Sequence, residues 1–261
     1  MTTPLPYVRL RQICLVARDM SRAEQILTQV LGLEVAFRDE RVAKYGLCNL
    51  LLPLGTAFIE VVVPTREGTA AGRFLDRFDE RRGYMVICDC GNLAAARQRV
   101  ERLGLRILHS NRWPRYENLQ LHPRDTGGAM VELHHNDGGD DLRGHYEPAG
   151  EAWQAYVRDD VSVSLLGAEL IAPDPALLAR RWAALFDRPA SQDDQGRWQV
   201  ALDVGLLRFL PGADDAFLNA VNITVRDVAA VKSAAQRLQC AVEGDAVLLC
   251  GVWFRLRSIA T

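Results

Sequence analysis

The sequence predicts an α+β protein made of four βαβββ modules, which form two paired-module domains with curved mixed sheets. Three observations carry this prediction. A strand, a helix and further strands recur four times along the chain. The predicted helices of the first two copies each end at a glycine, and each of these copies places a glutamate in its last apolar strand at the same spacing.

Composition limits the classes of protein that the chain can represent. The 261 residues are 49% apolar and 25% charged, with a net charge of −2. A chain of this length can form one large domain or two domains of about 130 residues each. No basic run favours nucleic acid as a partner, and no apolar stretch has the ~20 residues of a membrane helix. The first residues lack the pattern of a signal peptide. Six scattered cysteines favour reduced thiols and a cytoplasmic protein.

The first module begins with a strand predicted over residues 8–19. Asp19 or Ser21 caps the helix that follows, and Gly32 ends it. Three strands are expected next, over residues 33–38, 43–52 and 56–63. The helix is predicted from apolar residues at helical spacing, namely Ala23, Ile26, Leu27, Val30 and Leu31.

The second module repeats this spacing. A strand over residues 83–92 leads into a helix over 93–103, and Gly104 ends that helix. Gln12 and Gly32 are 20 positions apart, and so are Tyr84 and Gly104. Gln12 and Glu60 are 48 positions apart, as are Tyr84 and Glu132. The shared register indicates that residues 1–137 form a paired-module domain.

Residues 138–160 are polar and rich in turn formers, which predicts a linker. Trp153 and Tyr156 indicate that part of this linker packs against the rest of the protein. Residues 161–261 then form a second, less regular paired domain. Its elements are predicted as a strand over 167–174, a helix over 176–186, strands over 198–202 and 205–210, a strand over 220–227, a helix over 228–238, and strands over 246–250 and 252–256.

Residues 122–133 are the most informative stretch, because a tight turn is followed there by an apolar strand that contains a carboxylate. Gly127 and Gly128 supply the turn, and the strand that follows contains Glu132. A charge in a half-buried strand is costly unless another group pairs with it. We therefore expect partners for Glu132 inside the fold.

Two paired modules can enclose a cleft. Side chains on the inward faces of the first and last strands of each module then point into that cleft. The repeat places Gln12, Glu60, Tyr84 and Glu132 at those positions. Two converging carboxylates must share a proton or a cation, and a divalent metal would serve, with Gln12 as a neutral oxygen ligand. If the strand parity is shifted by one residue, Glu60 and Glu132 instead face solvent.

A paired βαβββ chain with Gln or His on its first strand and Glu on its last resembles the vicinal oxygen chelate superfamily. That superfamily includes glyoxalase I, methylmalonyl-CoA epimerase, extradiol dioxygenases, fosfomycin-resistance transferases and bleomycin-binding proteins. The stretch 122–133 is similar to the last strands of epimerase-like and glyoxalase-like members. The resemblance implies that Gln12, Glu60 and Glu132 are metal ligands.

Tyr84 departs from the pattern, since a histidine commonly stands at its position. A tyrosine is a poor ligand at its usual pKa of ~10. Either it binds as phenolate, or it contacts substrate or metal-bound water, or the site is incomplete. The second domain has lost the metal set, because its corresponding positions read Gly167, Arg208 (or Leu207), Ala220 and Arg255. Extradiol dioxygenases carry their iron site in that domain, which argues against ring cleavage.

The resemblance implies a metal-dependent lyase or isomerase that forms a metal-stabilised enolate from a small oxygenated, anionic substrate. Glu132 is the expected base, with Glu60 second and Tyr84 beside them. The alternative is a non-catalytic binding or resistance protein of the same fold. Oxygen ligands favour Mg²⁺ or Mn²⁺, while related proteins also accept Zn²⁺ and Ni²⁺. The expected partners are a small-molecule ligand and, if the protein is not a monomer, a second copy in a homodimer.

Overall fold

The fold is described from a computed structural model, which covers residues 7–212 and 214–259. The amino-terminal stretch in which we expected no signal peptide lies outside these residues in its first six positions. No helix in the described ranges is long and apolar enough to cross a membrane.

Strands and helices alternate along the chain as the module prediction requires. The helices are α1 (Met20–Leu31), α2 (Ala70–Phe78), α3 (Leu93–Arg102), α4 (Pro123–Thr126), α5 (Pro175–Phe186) and α6 (Val228–Arg237). The strands are β1 (Val8–Val16), β2 (Leu47–Leu54), β3 (Ala57–Pro64), β4 (Met85–Cys90), β5 (Ile107–His109), β6 (Arg112–Trp113), β7 (Tyr116–Leu121), β8 (Met130–Asn136), β9 (Ser162–Ala172), β10 (Ala190–Gln192), β11 (Trp198–Ala201), β12 (Leu206–Pro211), β13 (Phe217–Val225), β14 (Val242–Glu243), β15 (Ala246–Leu249) and β16 (Val252–Ser258).

The strands form two mixed sheets of eight, which confirms the predicted fold class. The first sheet has the order β2-β3-β1-β4-β8-β7-β5, with β6 paired to β7. The second has the order β10-β11-β12-β9-β13-β16-β15-β14. Pairing is parallel between β4 and β8 and antiparallel between β7 and β8. Each sheet thus holds two modules, with the first strand of each module near its centre.

Aspartates cap three of the helices, and Asp19 is one of the two caps predicted for the first of them. Asp19 accepts a hydrogen bond from Arg22 N, Asp174 from Leu177 N, and Asp227 from Ala230 N. Gly32 ends α1 with a φ of 68°, a left-handed conformation that favours glycine. Side-chain caps satisfy main-chain N–H groups that the first helical turn leaves without partners.

Two regions of the first module differ from the prediction: α2 (Ala70–Phe78) forms where no helix was predicted, and residues 33–46 differ as follows. Residues 33–38 form no strand, apart from an isolated bridge between Phe37 and Leu51. Asp39 instead caps a 3₁₀ helix over Glu40–Tyr45, accepting from Arg41 N, and β2 starts only at Leu47. The local capping bond therefore prevails over the apolar pattern of this stretch.

The chain divides into two compact units. The first contains the described residues of Met1–Gln12, Met85–Glu147 and Gly167–Leu218. Within it α3 packs on α5, and the buried Trp182 donates a hydrogen bond of 2.9 Å from Nε1 to the carbonyl oxygen of Thr126. The second module and the third are thereby joined through a buried indole.

The second unit contains the described residues of Ile13–Tyr84, Pro148–Leu166 and Asn219–Thr261. Its helices α1 and α6 pack on each other, and Arg22 donates a hydrogen bond to the carbonyl oxygen of Leu238. Trp153 is buried with its ring 5.0 Å from that of Phe58. The residue that we expected to dock the linker therefore packs into this unit.

Candidate functional site

Glu132 lies in the middle of β8 and is held by two donors from β7. Tyr116 Oη donates a hydrogen bond of 2.6 Å to Glu132 Oε1, and Gln120 Nε2 donates one of 2.8 Å to Oε2. Gln120 stands directly opposite Glu132 in the antiparallel pair, and Ile87 of β4 stands beside it on the other flank. Only 5% of Glu132 is exposed, so the carboxyl group is inside the fold as expected.

The environment of Glu132 favours its neutral form. Burial raises the pKa of the carboxyl group, and hydrogen bonds from Tyr116, Gln120 and Asn118 oppose that effect. Tyr116 and Gln120 are uncharged donors. A buried carboxyl group held this way can gain and lose a proton at a pH above its ordinary range, which suits a general base.

The β6–β7 hairpin contributes the aromatic part of this arrangement. The ring of Trp113 stacks on that of Tyr116, with their centroids 5.1 Å apart. Tyr116 is buried, and burial together with the Glu132 carboxylate raises the pKa of its phenol. Arg112 and Arg115 are exposed on the same hairpin. Of this basic-aromatic stretch, the tyrosine contacts the carboxyl group directly.

His134 shares the face of β8 that carries Glu132, because side chains two residues apart point to the same side. Its ring is completely buried between the rings of Tyr116 and Tyr146, at 5.5 and 5.4 Å. Its Nδ1 lies 3.8 Å from Glu132 Oε1, and its Nε2 lies 4.0 Å from Asp89 Oδ1. His134 is therefore an interior residue beside Glu132, although it stands near the polar end of its strand, where the sequence favours a solvated side chain. Burial holds its pKa well below the ordinary value.

Gln12 is buried in β1 and accepts a hydrogen bond of 2.7 Å at Oε1 from Tyr146 Oη. Tyr146 belongs to the segment predicted as a linker, and it is 1% exposed. The guanidinium of Arg11 lies 4.9 Å from the centroid of the Tyr146 ring. Gln12 therefore has an amide oxygen in a polar interior, as a neutral ligand requires, with a phenol as its neighbour.

Two buried arginines precede Gln12 on the same strand. Arg9 Nη2 donates 2.8 Å to Asp89 Oδ2, and it also donates to the carbonyl oxygen of Gly139. Arg11 Nη2 donates 2.8 Å to the carbonyl oxygen of Leu142. Burial lowers the pKa of Arg11. Burial also raises the pKa of Asp89, and the positive charges of Arg9 and Arg11 oppose that rise.

Glu60 and Tyr84 belong to the second unit. Glu60, in β3, accepts a hydrogen bond of 2.7 Å at Oε1 from Asn49 Nδ2 of β2. The ring of Tyr84 packs edge-on against Phe74 of α2, with centroids 5.0 Å apart. Burial raises the pKa of the Tyr84 phenol, and Cys14 and Glu60 raise it further. Tyr84 is therefore a protonated phenol beside Glu60 and does not fit the part of a metal ligand.

The remaining oxygen donors fit a hard divalent ion in their chemistry. Gln12 offers an amide oxygen, and Glu60 and Glu132 offer carboxylates supported by hydrogen-bond donors, as ligating carboxylates commonly are. In the described ranges, no group of three His, Cys, Asp or Glu side chains is placed to hold a metal ion. The ligand set of Gln12, Glu60 and Glu132 stays a prediction.

Comparison with known proteins identifies the family. Residues 13–186 match the family model described as a glyoxalase-like domain. Because the match spans more than half of the chain, the protein belongs to this family, within the vicinal oxygen chelate superfamily.

The chain is also similar to individual proteins. The chain is 29% identical over 131 residues to an ethylmalonyl-CoA/methylmalonyl-CoA epimerase of Cereibacter sphaeroides, a match that covers 48% of this chain and 96% of that protein. A hypothetical protein from Staphylococcus aureus shares the fold over 97% of this chain and 99% of its own, with a TM-score of 0.68 and 12% identity. Streptomyces coelicolor methylmalonyl-CoA epimerase in complex with 2-nitronate-propionyl-CoA matches 50% of this chain and 98% of its own, with a TM-score of 0.45 and 20% identity.

Proposed function

We propose that the protein is an epimerase-like or glyoxalase-like lyase or isomerase that moves a proton next to a carbonyl group of a small, oxygenated, anionic substrate. The single observation that carries the proposal is the buried Glu132 carboxyl group, whose pKa burial raises and which Tyr116 and Gln120 hold in place. The similarity to an ethylmalonyl-CoA/methylmalonyl-CoA epimerase supports a CoA thioester that carries one free carboxylate as substrate.

In this proposal Glu132 removes the proton from the carbon between the two carbonyl groups. Tyr116 and Gln120 fix the orientation of its carboxylate, so that little reorganisation is needed at the moment of transfer. Burial favours the protonated product of this step, because a neutral carboxylic acid is less costly in an apolar environment than a carboxylate. Glu60 is the second candidate base, and Tyr84 is the proton donor or substrate contact beside it.

Gln12, Glu60 and Glu132 are the residues that would hold a divalent ion, with Mg²⁺, Mn²⁺, Zn²⁺ and Ni²⁺ as the candidates. Such an ion, when bound, supplies positive charge that favours the ionised form of the substrate. We place Tyr84 outside the ligand set, because its phenol is buried and protonated.

A binding or resistance protein of the same fold is the second candidate. The observation that favours it is that neutral protein donors already engage both oxygens of Glu132 and the amide oxygen of Gln12. A protein that only sequesters a ligand does not need a carboxylate free to accept a proton.

The proposal extends to the organisation of the chain. We propose that residues 1–137 carry the activity, that residues 138–160 link them to the rest, and that residues 161–261 form a paired domain with a structural role. We further propose that the protein acts in the cytoplasm as a monomer or homodimer, without nucleic acid or membrane as partner.

Solvent exchange tests the proposed activity. Methylmalonyl-CoA incubated with the protein in D₂O should gain deuterium at C2, and Glu132→Gln should slow that exchange by about 10²-fold or more. Glu60→Gln reports on the second carboxylate. Glu117→Gln, a half-exposed glutamate on β7, is the matched control. If wild type gives no exchange, while it binds the ester and Glu132→Gln keeps that affinity, the protein is a binding protein.

A further inference from the structure

The segment between β8 and residue 147 is a closed loop whose two ends meet at Asn136. The main-chain N–H of Gly139 donates 2.9 Å to the Asn136 carbonyl oxygen, and the N–H of Glu147 donates 3.0 Å to Asn136 Oδ1. Residues 137–146, which we name the 137–146 loop, therefore start and end at one point. Compact surface loops with adjoining ends are frequently functional.

Three polar side chains of β1, those of Arg9, Arg11 and Gln12, hold this loop in place. Arg9 donates to the carbonyl oxygens of Gly139 and Asp140, the second at 3.2 Å. Arg11 donates 2.8 Å to the carbonyl oxygen of Leu142. At the end of the loop, Tyr146 donates to Gln12. The loop thus presents a row of main-chain oxygens to two buried guanidinium groups.

Main-chain carbonyl groups are weak acceptors for such a pair. A guanidinium group forms stronger, shorter and often bidentate hydrogen bonds with a carboxylate or phosphate. Arg9 and Arg11 together with Asp89, which Arg9 contacts at 2.8 Å, carry one net positive charge. An oxyanion would therefore bind this place more favourably than the peptide groups that fill it.

Glycine lets the main chain of the loop come close to the ion pair of Arg9 and Asp89. A Cβ at position 139 would lie 2.9 Å from the Asn136 carbonyl oxygen and 3.4 Å from Asp89 Oδ2, so the turn at Asn136 favours glycine at a position that lies next to the ion pair. Gly138 has a φ of 81°, and Asp137, Asp140 and Asp141 are exposed. Tyr146 is the one large side chain of the loop that is buried among the described residues.

We propose that Arg9 and Arg11 form an oxyanion-binding site for the carboxylate of the substrate, that the 137–146 loop fills this site in the closed state, and that the anion opens the loop by replacing its carbonyl oxygens. The inference rests on the proposed function for the substrate class alone. The same chemistry suits a phosphate group, and the experiment separates the two.

Hydrogen–deuterium exchange of the full chain, with and without malonate, tests the inference. Saturating malonate should increase amide exchange within residues 138–144, whereas sodium chloride of equal ionic strength should not. Inorganic phosphate forms the second arm, and an equal response to it would assign the site to phosphate groups. If neither anion binds, or if malonate binds without changing exchange in the loop, the inference fails.

Two variants should shift malonate affinity in opposite directions. Arg11→Gln should weaken binding about tenfold or more, because it removes a charge-assisted contact. Tyr146→Phe keeps the ring and removes the bond to Gln12, so the loop should exchange faster and malonate should bind more tightly. Arg124→Gln, an exposed arginine in the same unit, is the control. Arginines that only hold the loop in place would give no tighter binding in Tyr146→Phe.

The same exchange measurement on Glu132→Gln separates this inference from the proposed function. If that variant loses proton transfer but its loop still responds to malonate, both proposals are supported. If wild type transfers the proton while malonate leaves the loop unchanged, the oxyanion site is wrong and the proposed activity stands. If the loop responds but no substrate exchanges, the site is an anion-binding site without that activity.

Discussion

Tyr116 Oη and Glu132 Oε1 lie 2.6 Å apart on adjacent antiparallel strands, and both groups are buried. The two residues are not directly opposite in the pair, since Tyr116 faces Asn136 and Glu132 faces Gln120. The tyrosine therefore reaches diagonally along the sheet to the carboxyl group. This contact joins the aromatic hairpin over Arg112–Tyr116 to the carboxyl group that we expect to act as the base.

We expect Tyr116→Phe to destabilise the protein by about 1–3 kcal/mol, because it removes a hydrogen-bond donor from a buried carboxyl group. The same change should raise the pKa of Glu132 further, since the phenol stabilises the ionised form. Urea denaturation at neutral pH measures the first effect. The acidic limb of the pH–rate profile for solvent exchange should move to higher pH. An unchanged profile would mean that Tyr116 does not act on the base.

The buried His134 should make folding stability depend on pH. Its folded pKa is lowered, so below about pH 6.5 the unfolded chain binds a proton that the folded protein does not bind. Stability should therefore fall as the pH decreases through that value, by about 1.4 kcal/mol per pH unit for one proton. Urea denaturation at several pH values between about pH 5 and about pH 8 measures the free energy of unfolding, and its change with pH gives the slope.

His134→Gln should remove this contribution, and His135→Gln is the matched control on the next residue. His135 is partly exposed and accepts or donates at Nδ1 to the Cys90 carbonyl oxygen at 3.0 Å. Equal slopes for wild type and His134→Gln would contradict the assignment of a buried neutral imidazole.

The sequence sufficed for the features that depend on local pattern. The cap at Asp19, the four modules and the burial of Glu132 follow from spacing and residue type. Alternation along a strand also contained a signal for His134, because it stands two residues after Glu132 and must share its face.

The partners of Glu132 could not be predicted in the same way. Tyr116 and Gln120 contact Glu132 because β7 pairs with β8 in one particular register. The bonded residues are 16 and 12 positions apart in the chain, and a single sequence does not determine the register in which two such strands pair. The latching of the 137–146 loop depends likewise on contacts between residues more than a hundred positions apart in the chain. Its glycines and aspartates predicted a linker, and nothing local indicated that Arg9 and Arg11 would hold it.

Trp182→Phe tests how the second and third modules are joined in the first unit. The indole is completely buried against Phe186 and Phe209, and it donates to the carbonyl oxygen of Thr126. The substitution should leave a small cavity and an unsatisfied carbonyl group, at a cost of about 2–4 kcal/mol in the free energy of unfolding. Trp198→Phe, at a half-exposed site, should cost less. Equal effects in urea denaturation would show that the buried indole contributes nothing beyond its size.

Divalent ions should stabilise the protein if the oxygen donors bind one. An ion at a hundred times its dissociation constant adds about 2.7 kcal/mol, which corresponds to a rise in Tm of about 5–10 °C for a chain of this length. We expect Mg²⁺ or Mn²⁺ to give this rise, because Gln12, Glu60 and Glu132 offer only oxygen atoms. A thermal-shift series with Mg²⁺, Mn²⁺, Zn²⁺ and Ni²⁺, together with elemental analysis of the purified protein, measures it.

Variants identify which residues hold the ion. Glu132→Gln and Glu60→Gln should each reduce the rise in Tm, because each replaces a carboxylate with an amide that binds hard cations weakly. Glu117→Gln, whose carboxylate contacts Arg97 at 3.4 Å, should leave the rise unchanged. A rise that survives both buried substitutions would place the ion elsewhere. If no ion raises the Tm of wild type, the predicted ligand set is wrong. Hydrogen bonds from Tyr116, Gln120 and Asn49 would then be the interactions that offset the cost of burying Glu132 and Glu60.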